Sequence, residues 1–201
     1  MNTFLDRSLD RAATLSRWGA RVAGGLLIAS VLLISFDVIG RKVFGMASAG
    51  SNELSGYVLA ISTSWALAFG VFEKINVRVD LLYQKLPLRL AAAMDILAVA
   101  VLEFFIVVLT YYAFITFQTS LQEGAAANTD LGTPLWIPQG LWVLGMIWMT
   151  IVLALVVLRA SASLIVGDVA RVTALCGPRG STDEAEEEAR LANQRTEQGG
   201  A

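Results

Sequence analysis

The sequence predicts an all-α integral membrane protein with four transmembrane helices and both termini on the cytoplasmic side. The first observation behind this prediction is a set of four long apolar runs. Each run reaches the roughly 20 residues that are needed to cross a hydrocarbon core of about 30 Å. A helix of a soluble protein would carry polar residues on one face throughout its length. The predicted spans cover about residues 22–41, 54–72, 90–117 and 135–158.

The second observation is the segregation of Lys and Arg among the segments that connect these runs. Four basic residues precede the first run, four lie in the second connection and five follow the fourth run. The first connection holds only Arg41 and Lys42, and the third holds none. Because basic residues stay on the cytoplasmic side of a membrane, this distribution of 13 against two places both termini in the cytoplasm.

Composition excludes several classes of function. Hydrophobic residues make up 56% of the 201 residues and the mean hydropathy is +0.63, so the spans leave no room for a large soluble domain. The chain has no His and a single Cys, Cys176, which argues against haem, zinc and thiol–disulfide chemistry. It has no glycine-rich loop for ATP and no basic cluster for nucleic acid. We therefore expect no cofactor, no metal and no enzymatic activity.

Three segments lie outside the predicted four-helix membrane domain of residues 22–158. Residues 1–21 form a cytoplasmic amphipathic segment, either as a short helix lying in the interface or as an extension of the first span. We read the first apolar run as an uncleaved span, because it is longer than the apolar part of a signal peptide. Residues 159–176 are predicted to continue the last helix along the cytoplasmic interface. Residues 177–201 are acidic and are predicted to be a disordered tail.

The connections carry their own signals. Residues 44–52 read as a tight turn, in which Ser51 or Asn52 caps the second span. In the second connection, Asp80 is placed to cap a short interfacial helix over residues 81–86. The third connection, residues 118–139, is predicted to be a structured external loop because it contains several Gly, Pro and Asn residues.

Charged residues at the outer ends of the first two spans are the first candidate site. Asp37 and Arg41 are one helical turn apart, and Glu53 begins the second span on the same side. A carboxylate inside a span is costly, so it is expected to be paired or to face protein. These residues are interpreted either as a structural ion pair that anchors two helix ends or as a contact surface for another membrane subunit, with a substrate site as a remaining alternative.

Glu103 is the second candidate. It lies about 12 residues beyond the inner end of the third span, which is roughly 18 Å at 1.5 Å per residue and close to the midplane. Three alternatives remain open for it: an interhelical hydrogen bond, a polar contact with a partner subunit, or a proton relay. Asp95, nearer the inner end, is expected to be interfacial. The hydroxyl groups that could donate to Glu103 belong to Ser30, Ser35, Ser62, Thr63 and Ser64.

Several short motifs resemble the small membrane subunit of tripartite ATP-independent periplasmic (TRAP) transporters. Phe36–Arg41 is similar to the Asp-Val-x-x-Arg end of that family's first span, and Asn52–Leu54 is similar to its Glu-Leu start of the second. Asn76–Leu82 resembles the stretch that follows, with Asn76 at the position of the usual His and Asp80 matching the Asp. The third loop also resembles the family's, through Thr133, Pro134, Trp136, Pro138 and Gly140.

This resemblance covers roughly residues 22–158 and implies a function. It implies a non-catalytic scaffold subunit in a bacterial or archaeal inner membrane, packed against a large multi-span subunit that carries the substrate and sodium sites. A periplasmic binding protein would deliver an organic acid, such as a dicarboxylate. Two rival classes remain: an autonomous small transporter and a four-helix membrane enzyme. The transporter would need several ionisable residues at one depth and the enzyme a catalytic group, so both have little support in the sequence.

Overall fold

A computed structural model describes residues 2–45, 50–74, 87–129 and 131–177. Four of its helices are long and apolar enough to cross a membrane, as the sequence predicted. Apart from an isolated β-bridge between Ala126 and Pro134, the regular structure in these ranges is helical. The helices are α1 (Asn2–Phe44), α2 (Ser51–Phe72), α3 (Leu88–Gln122), α4 (Trp136–Val166) and α5 (Val169–Cys176).

Helix α4 is the centre of the bundle. It contacts α1, α2, α3 and α5, whereas α1 and α3 lie at opposite sides of the bundle. The chain therefore has the order α1, α2, α4, α3 across the membrane domain. The core is apolar where α4 meets its neighbours, because Val152, Leu153 and Ala160 are fully buried there.

Helix α1 includes the N-terminal segment, for which the sequence allowed either a separate helix or an extension of the first span. Its 43 residues form one continuous helix, so residues 2–21 extend the first span instead of forming a separate helix. At 1.5 Å per residue the helix is about 64 Å long, roughly twice the thickness of a hydrocarbon core. Leu9, Ala12 and Ser16 are buried, so this extension packs against the rest of the protein through one face.

The boundary between α4 and α5 is defined by local features of Gly167 and Asp168. Gly167 has φ +83 and ends α4, because a residue in the left-handed region reverses the chain at a helix C-terminus. Asp168 then accepts a hydrogen bond from the backbone N–H of Arg171 at 3.0 Å and caps α5. The predicted extension over residues 159–176 is thus the last turns of α4 followed by a separate helix, which ends before Gly177.

Two expectations about connections have different outcomes. Gly50, with φ +101, is the cap position of α2, and the hydroxyl of Ser51 instead bonds to α1, so the predicted Ser51 or Asn52 cap is wrong. The short helix over residues 81–86, with Asp80 as its cap, lies outside the described residues. The same is true of residues 178–201, the greater part of the predicted acidic tail.

Candidate functional site

One polar cluster joins the C-terminal end of α1 to the start of α2. The guanidinium of Arg41 donates to the carboxylate of Asp37, and the two residues form an ion pair one helical turn apart. The hydroxyl of Ser51 donates to the same carboxylate oxygen at 2.7 Å. The side chain of Asp37 is only 3% exposed, whereas that of Arg41 is 47% exposed. The cluster therefore joins the end of α1 to the start of α2, and about half of the Arg41 side chain stays exposed.

Glu53 lies at the same end of the bundle but is not part of that ion pair. The hydroxyl of Tyr57 donates to Glu53 Oε1 at 2.8 Å, and the hydroxyl of Thr129 donates to Oε2. Thr129 belongs to the loop between α3 and α4, in which the side chain of Leu131 covers Gly50. Glu53 therefore holds this loop against α2, a role that the sequence could not indicate because the partners are 76 residues apart.

Glu103 lies on the stripe of α3 that faces the bundle. Val99, one turn before it, and Ile106, one turn after it, are both buried. Its Oε2 atom is buried and has no hydrogen-bond partner among the residues that the structure describes. Of the donors considered in the sequence, Ser62 and Ser64 use their hydroxyls for backbone carbonyls, as do Ser35 and Thr63. The carboxyl group thus lies among apolar side chains. Its Oε2 atom does not form the interhelical hydrogen bond that was one of the three alternatives for this residue.

Two further carboxylates were considered in the sequence, Asp95 and Asp80. Asp95 is 1% exposed, and its predicted interfacial depth stays a prediction. It lies on the same face of α3 as Ala92 and Val99, both of which are buried. This face of α3 therefore packs against the bundle near the start of the helix, as it does around Glu103. Asp80 lies outside the described residues, so its role stays a prediction.

The most extensive polar cluster was not anticipated from the sequence. It joins α1, α4 and α5 at the end of the bundle opposite Asp37. Arg159 donates to the two carboxylate oxygens of Asp6, from Nε at 2.8 Å and from Nη2 at 3.3 Å, and its Nη1 donates to Ser163 at 2.7 Å. Arg171 donates to Asp6 at 2.7 Å. We call these residues, Asp6, Arg159, Ser163 and Arg171, the Asp6 cluster.

The Asp6 cluster orders the first turns of α1. The side chain of Arg159 is 7% exposed and that of Asp6 is 30% exposed, so the ion pair is mostly shielded from solvent. The two residues are 153 positions apart, and each has many possible partners in the sequence. The sequence shows a carboxylate in the N-terminal segment, but nothing in the sequence indicates that its partner is Arg159.

Further contacts between helices bring backbones close together. The indole N–H of Trp148 donates to Ser16 at 3.1 Å, which joins α4 to α1. The indole N–H of Trp65 donates to the carbonyl of Leu141 at 3.1 Å, which joins α2 to α4. Gly145 lies directly against this contact, because an added Cβ atom would be 2.9 Å from Ser64 Cβ. Close approach through small residues is how membrane helices gain van der Waals contact.

The polar contacts of the described residues join helices to one another. Within the described ranges, no group of three or more Cys, Asp or Glu side chains is placed to hold a metal ion. The carboxylates lie at separate depths: Asp37 and Glu53 at one end, Asp6 at the other and Glu103 between them. A cavity of about 450 Å³ between α3 and α4 is bounded by Phe117, Trp136 and other apolar residues. It offers no polar group to an ion or an organic acid.

Comparison with known proteins decides the family. Residues 30–163 match the model of the family described as tripartite ATP-independent periplasmic transporters, DctQ component. The match covers the larger part of the chain, including Asp37, Arg41, Glu53 and Glu103. The chain belongs to this family. A search of curated proteins finds no significant match.

The DctQ component is the small membrane component of TRAP transporters, so this chain is a subunit of an inner-membrane transporter. The name of the family describes a tripartite system, which has a large membrane component and a periplasmic binding component besides this one. The matched region contains Arg159 and the four predicted spans, apart from the first eight residues of the first span. It does not contain the first half of α1. The Asp6 cluster thus ties the matched membrane domain to the N-terminal extension of this DctQ chain.

Proposed function

We propose that this DctQ subunit is a non-catalytic scaffold of a sodium-driven, binding-protein-dependent transporter that imports an organic acid such as a dicarboxylate. The observation that carries the proposal is the combination of the family match with a membrane domain whose described carboxylates are dispersed. Transport with ion coupling requires polar groups that converge on one site near the midplane. Among the carboxylates that the structure describes, Glu103 alone is near the middle of a long apolar helix, which supports placing the substrate and sodium sites in the large membrane subunit.

The exposed apolar surface of the domain is consistent with a subunit that is embedded between lipid and a larger partner. Phe36 and Phe44 on α1 and Phe104 on α3 are each at least 70% exposed. The half-exposed side chain of Arg41 and the carboxyl group of Glu103, near the middle of α3, are the polar groups that a partner subunit would contact. We further propose that Asp80, in the second connection, stabilises this assembly from the cytoplasmic side.

Transport assays test the division of labour between the subunits. In proteoliposomes with an imposed sodium gradient, this chain alone should catalyse no uptake of radiolabelled dicarboxylates. Addition of the large membrane subunit and the periplasmic binding protein should restore sodium-dependent uptake. Uptake by the purified chain alone would contradict the scaffold proposal and would favour an autonomous small transporter.

The proposed topology has both termini in the cytoplasm, on the basis of the distribution of basic residues. A reporter that is active only in the periplasm should therefore be active when fused at residue 127, within the loop between α3 and α4. A reporter that is active only in the cytoplasm should be active at the C-terminus. Cytoplasmic activity at residue 127 would contradict this topology.

A further inference from the structure

The outward face of the first half of α1 carries four arginines. Arg7, Arg11, Arg17 and Arg21 are all exposed. At 3.6 residues per turn they fall within an arc of about 120° and extend along about 21 Å of the helix. We call these four residues the arginine stripe.

The orientation of the arginine stripe is fixed by contacts on the opposite face of α1. Leu9, Ala12 and Ser16 are buried against the bundle, roughly half a turn of the helix away from the stripe. The Asp6 cluster and the hydrogen bond from Trp148 to Ser16 hold this face in place. The stripe therefore points away from the protein, and the helix cannot rotate it inward without breaking these contacts.

The four guanidinium groups are not neutralised by the protein. Over the described ranges, none of them forms an ion pair or a hydrogen bond with another side chain. Asp10 is the one carboxylate on the same face, and it is exposed as well. The face thus has four positive charges and one negative charge, which makes it a binding surface for an anion.

The surroundings of the stripe indicate the chemical nature of this anion. The stripe ends where the apolar part of α1 begins, at Val22, which is 58% exposed. Trp18 is 59% exposed, and the guanidinium of Arg21 lies over its ring at 5.6 Å. Basic residues and Trp just beyond an apolar run are typical of the headgroup level of a membrane. A shallow depression of about 340 Å³ lies beside Trp18 and is lined by Asp10, Arg11, Thr14 and Leu15. It provides space for a lipid headgroup.

We propose that Arg17 and Arg21, at the end of the arginine stripe that adjoins the apolar part of α1, bind the phosphodiester groups of anionic phospholipids. With the proposed topology these lipids belong to the inner leaflet, whose anionic headgroups attract basic segments next to a span. Charge complementarity and the adjoining lipid-facing surface favour a lipid over an acidic protein segment. The lipid would hold the α1 extension from outside, while the Asp6 cluster holds it from inside.

Native mass spectrometry of the delipidated full-length chain in detergent tests the proposal. Phosphatidylglycerol and phosphatidylcholine with identical acyl chains are titrated separately. The wild type should bind phosphatidylglycerol more tightly. In the double variant Arg17→Gln/Arg21→Gln this preference should fall by about fivefold for each arginine removed, the factor that corresponds to about 1 kcal/mol per basic residue near the surface.

A matched double variant and a change of ionic strength serve as controls. Arg190→Gln/Arg195→Gln removes two basic residues of the C-terminal segment, which are far along the chain from any predicted span, and should keep the preference within about twofold of the wild type. Raising the salt concentration should reduce the preference of the wild type more than that of the stripe variant, because exposed charges are screened. An unchanged preference in the stripe variant, or an equal loss in the control, would overturn the proposal.

The acidic C-terminal tail is the alternative occupant of the stripe. Glu186→Gln/Glu187→Gln/Glu188→Gln neutralises three of its carboxylates. Equal phosphatidylglycerol binding by this variant and the wild type would support the lipid proposal. Binding that emerges only in the tail variant would overturn it, because the tail would then cover the stripe. Neither result depends on transport, so failure here leaves the proposed function of the subunit unaffected.

Discussion

Removing the carboxylate of Asp6 should destabilise the protein, because it leaves a nearly buried guanidinium without its counter-charge. Asp6 accepts two hydrogen bonds from Arg159 and one from Arg171. In Asp6→Ala, Arg159 keeps its hydrogen bond to Ser163 and the electrostatic attraction of Asp168, but it loses its ion-pair partner. We therefore expect α1 to lose its anchor at this end of the bundle.

The magnitude lies between two limits. Breaking a buried ion pair costs about 3–5 kcal/mol, whereas an exposed pair contributes about 0–1 kcal/mol. The side chain of Arg159 is 7% exposed, but that of Asp6 is 30% exposed. Water can therefore enter the space that the carboxylate leaves and replace some of its hydrogen bonds to Arg159. We predict a loss of about 2 kcal/mol in the free energy of unfolding for Asp6→Ala. Asp6→Asn keeps an acceptor oxygen and should lose about 1 kcal/mol.

Reversible unfolding in mixed micelles, followed by far-UV circular dichroism, measures these values. Asp10→Ala is the matched control, since it removes an exposed carboxylate one turn along the same helix and should change the free energy of unfolding by less than about 0.5 kcal/mol. The double variant Asp6→Ala/Arg159→Met should recover most of the loss, because no unpaired buried charge remains. If Asp6→Ala were as stable as Asp10→Ala, the anchoring role of the Asp6 cluster would be refuted.

Three further predictions concern contacts between helices and between subunits. Gly145→Ala should lower the free energy of unfolding by about 1–3 kcal/mol, since the new methyl group would be 3.0 Å from Trp65 Cδ1. Gly25→Ala, with nothing within 4 Å of the added atom, should not destabilise the protein in the same assay. Ser16→Ala should cost about 1 kcal/mol, because the indole N–H of Trp148 loses its acceptor; equal stability to the wild type would contradict this. Arg41→Ala should reduce co-purification with the large subunit, whereas Lys42→Ala should not, and equal recovery of both variants would exclude a role for Arg41 in assembly.

The sequence predicts the number and position of the spans well, because the membrane imposes a length and an apolar composition on each of them. The three later spans agree with α2, α3 and α4 to within a few residues at most ends. The first span is the exception, since hydropathy locates the apolar part of α1 and not the helix itself. Residues 2–21 are polar on one face only. Their other face packs against α4, which stabilises the helix in this segment.

The side-chain partners were harder to predict than the spans. Asp37 and Arg41 were predicted as a pair because they are one turn apart on one helix, and local geometry alone brings them together. Glu53 and Thr129, or Asp6 and Arg159, meet only through the packing of distant helices. The burial of Asp95 likewise depends on the packing of α3 against its neighbours, which the sequence does not specify.

The substitution Glu103→Gln in the complete transporter tests the scaffold account most directly. Glu103 lies near the middle of α3, and a neutral amide has similar size and hydrogen-bonding capacity but cannot carry a proton. Sodium-driven uptake and co-purification with the large subunit should be measured on the same preparations. The account predicts normal assembly and uptake close to that of the wild type. Normal assembly with abolished uptake would contradict it and would make Glu103 part of the transport mechanism.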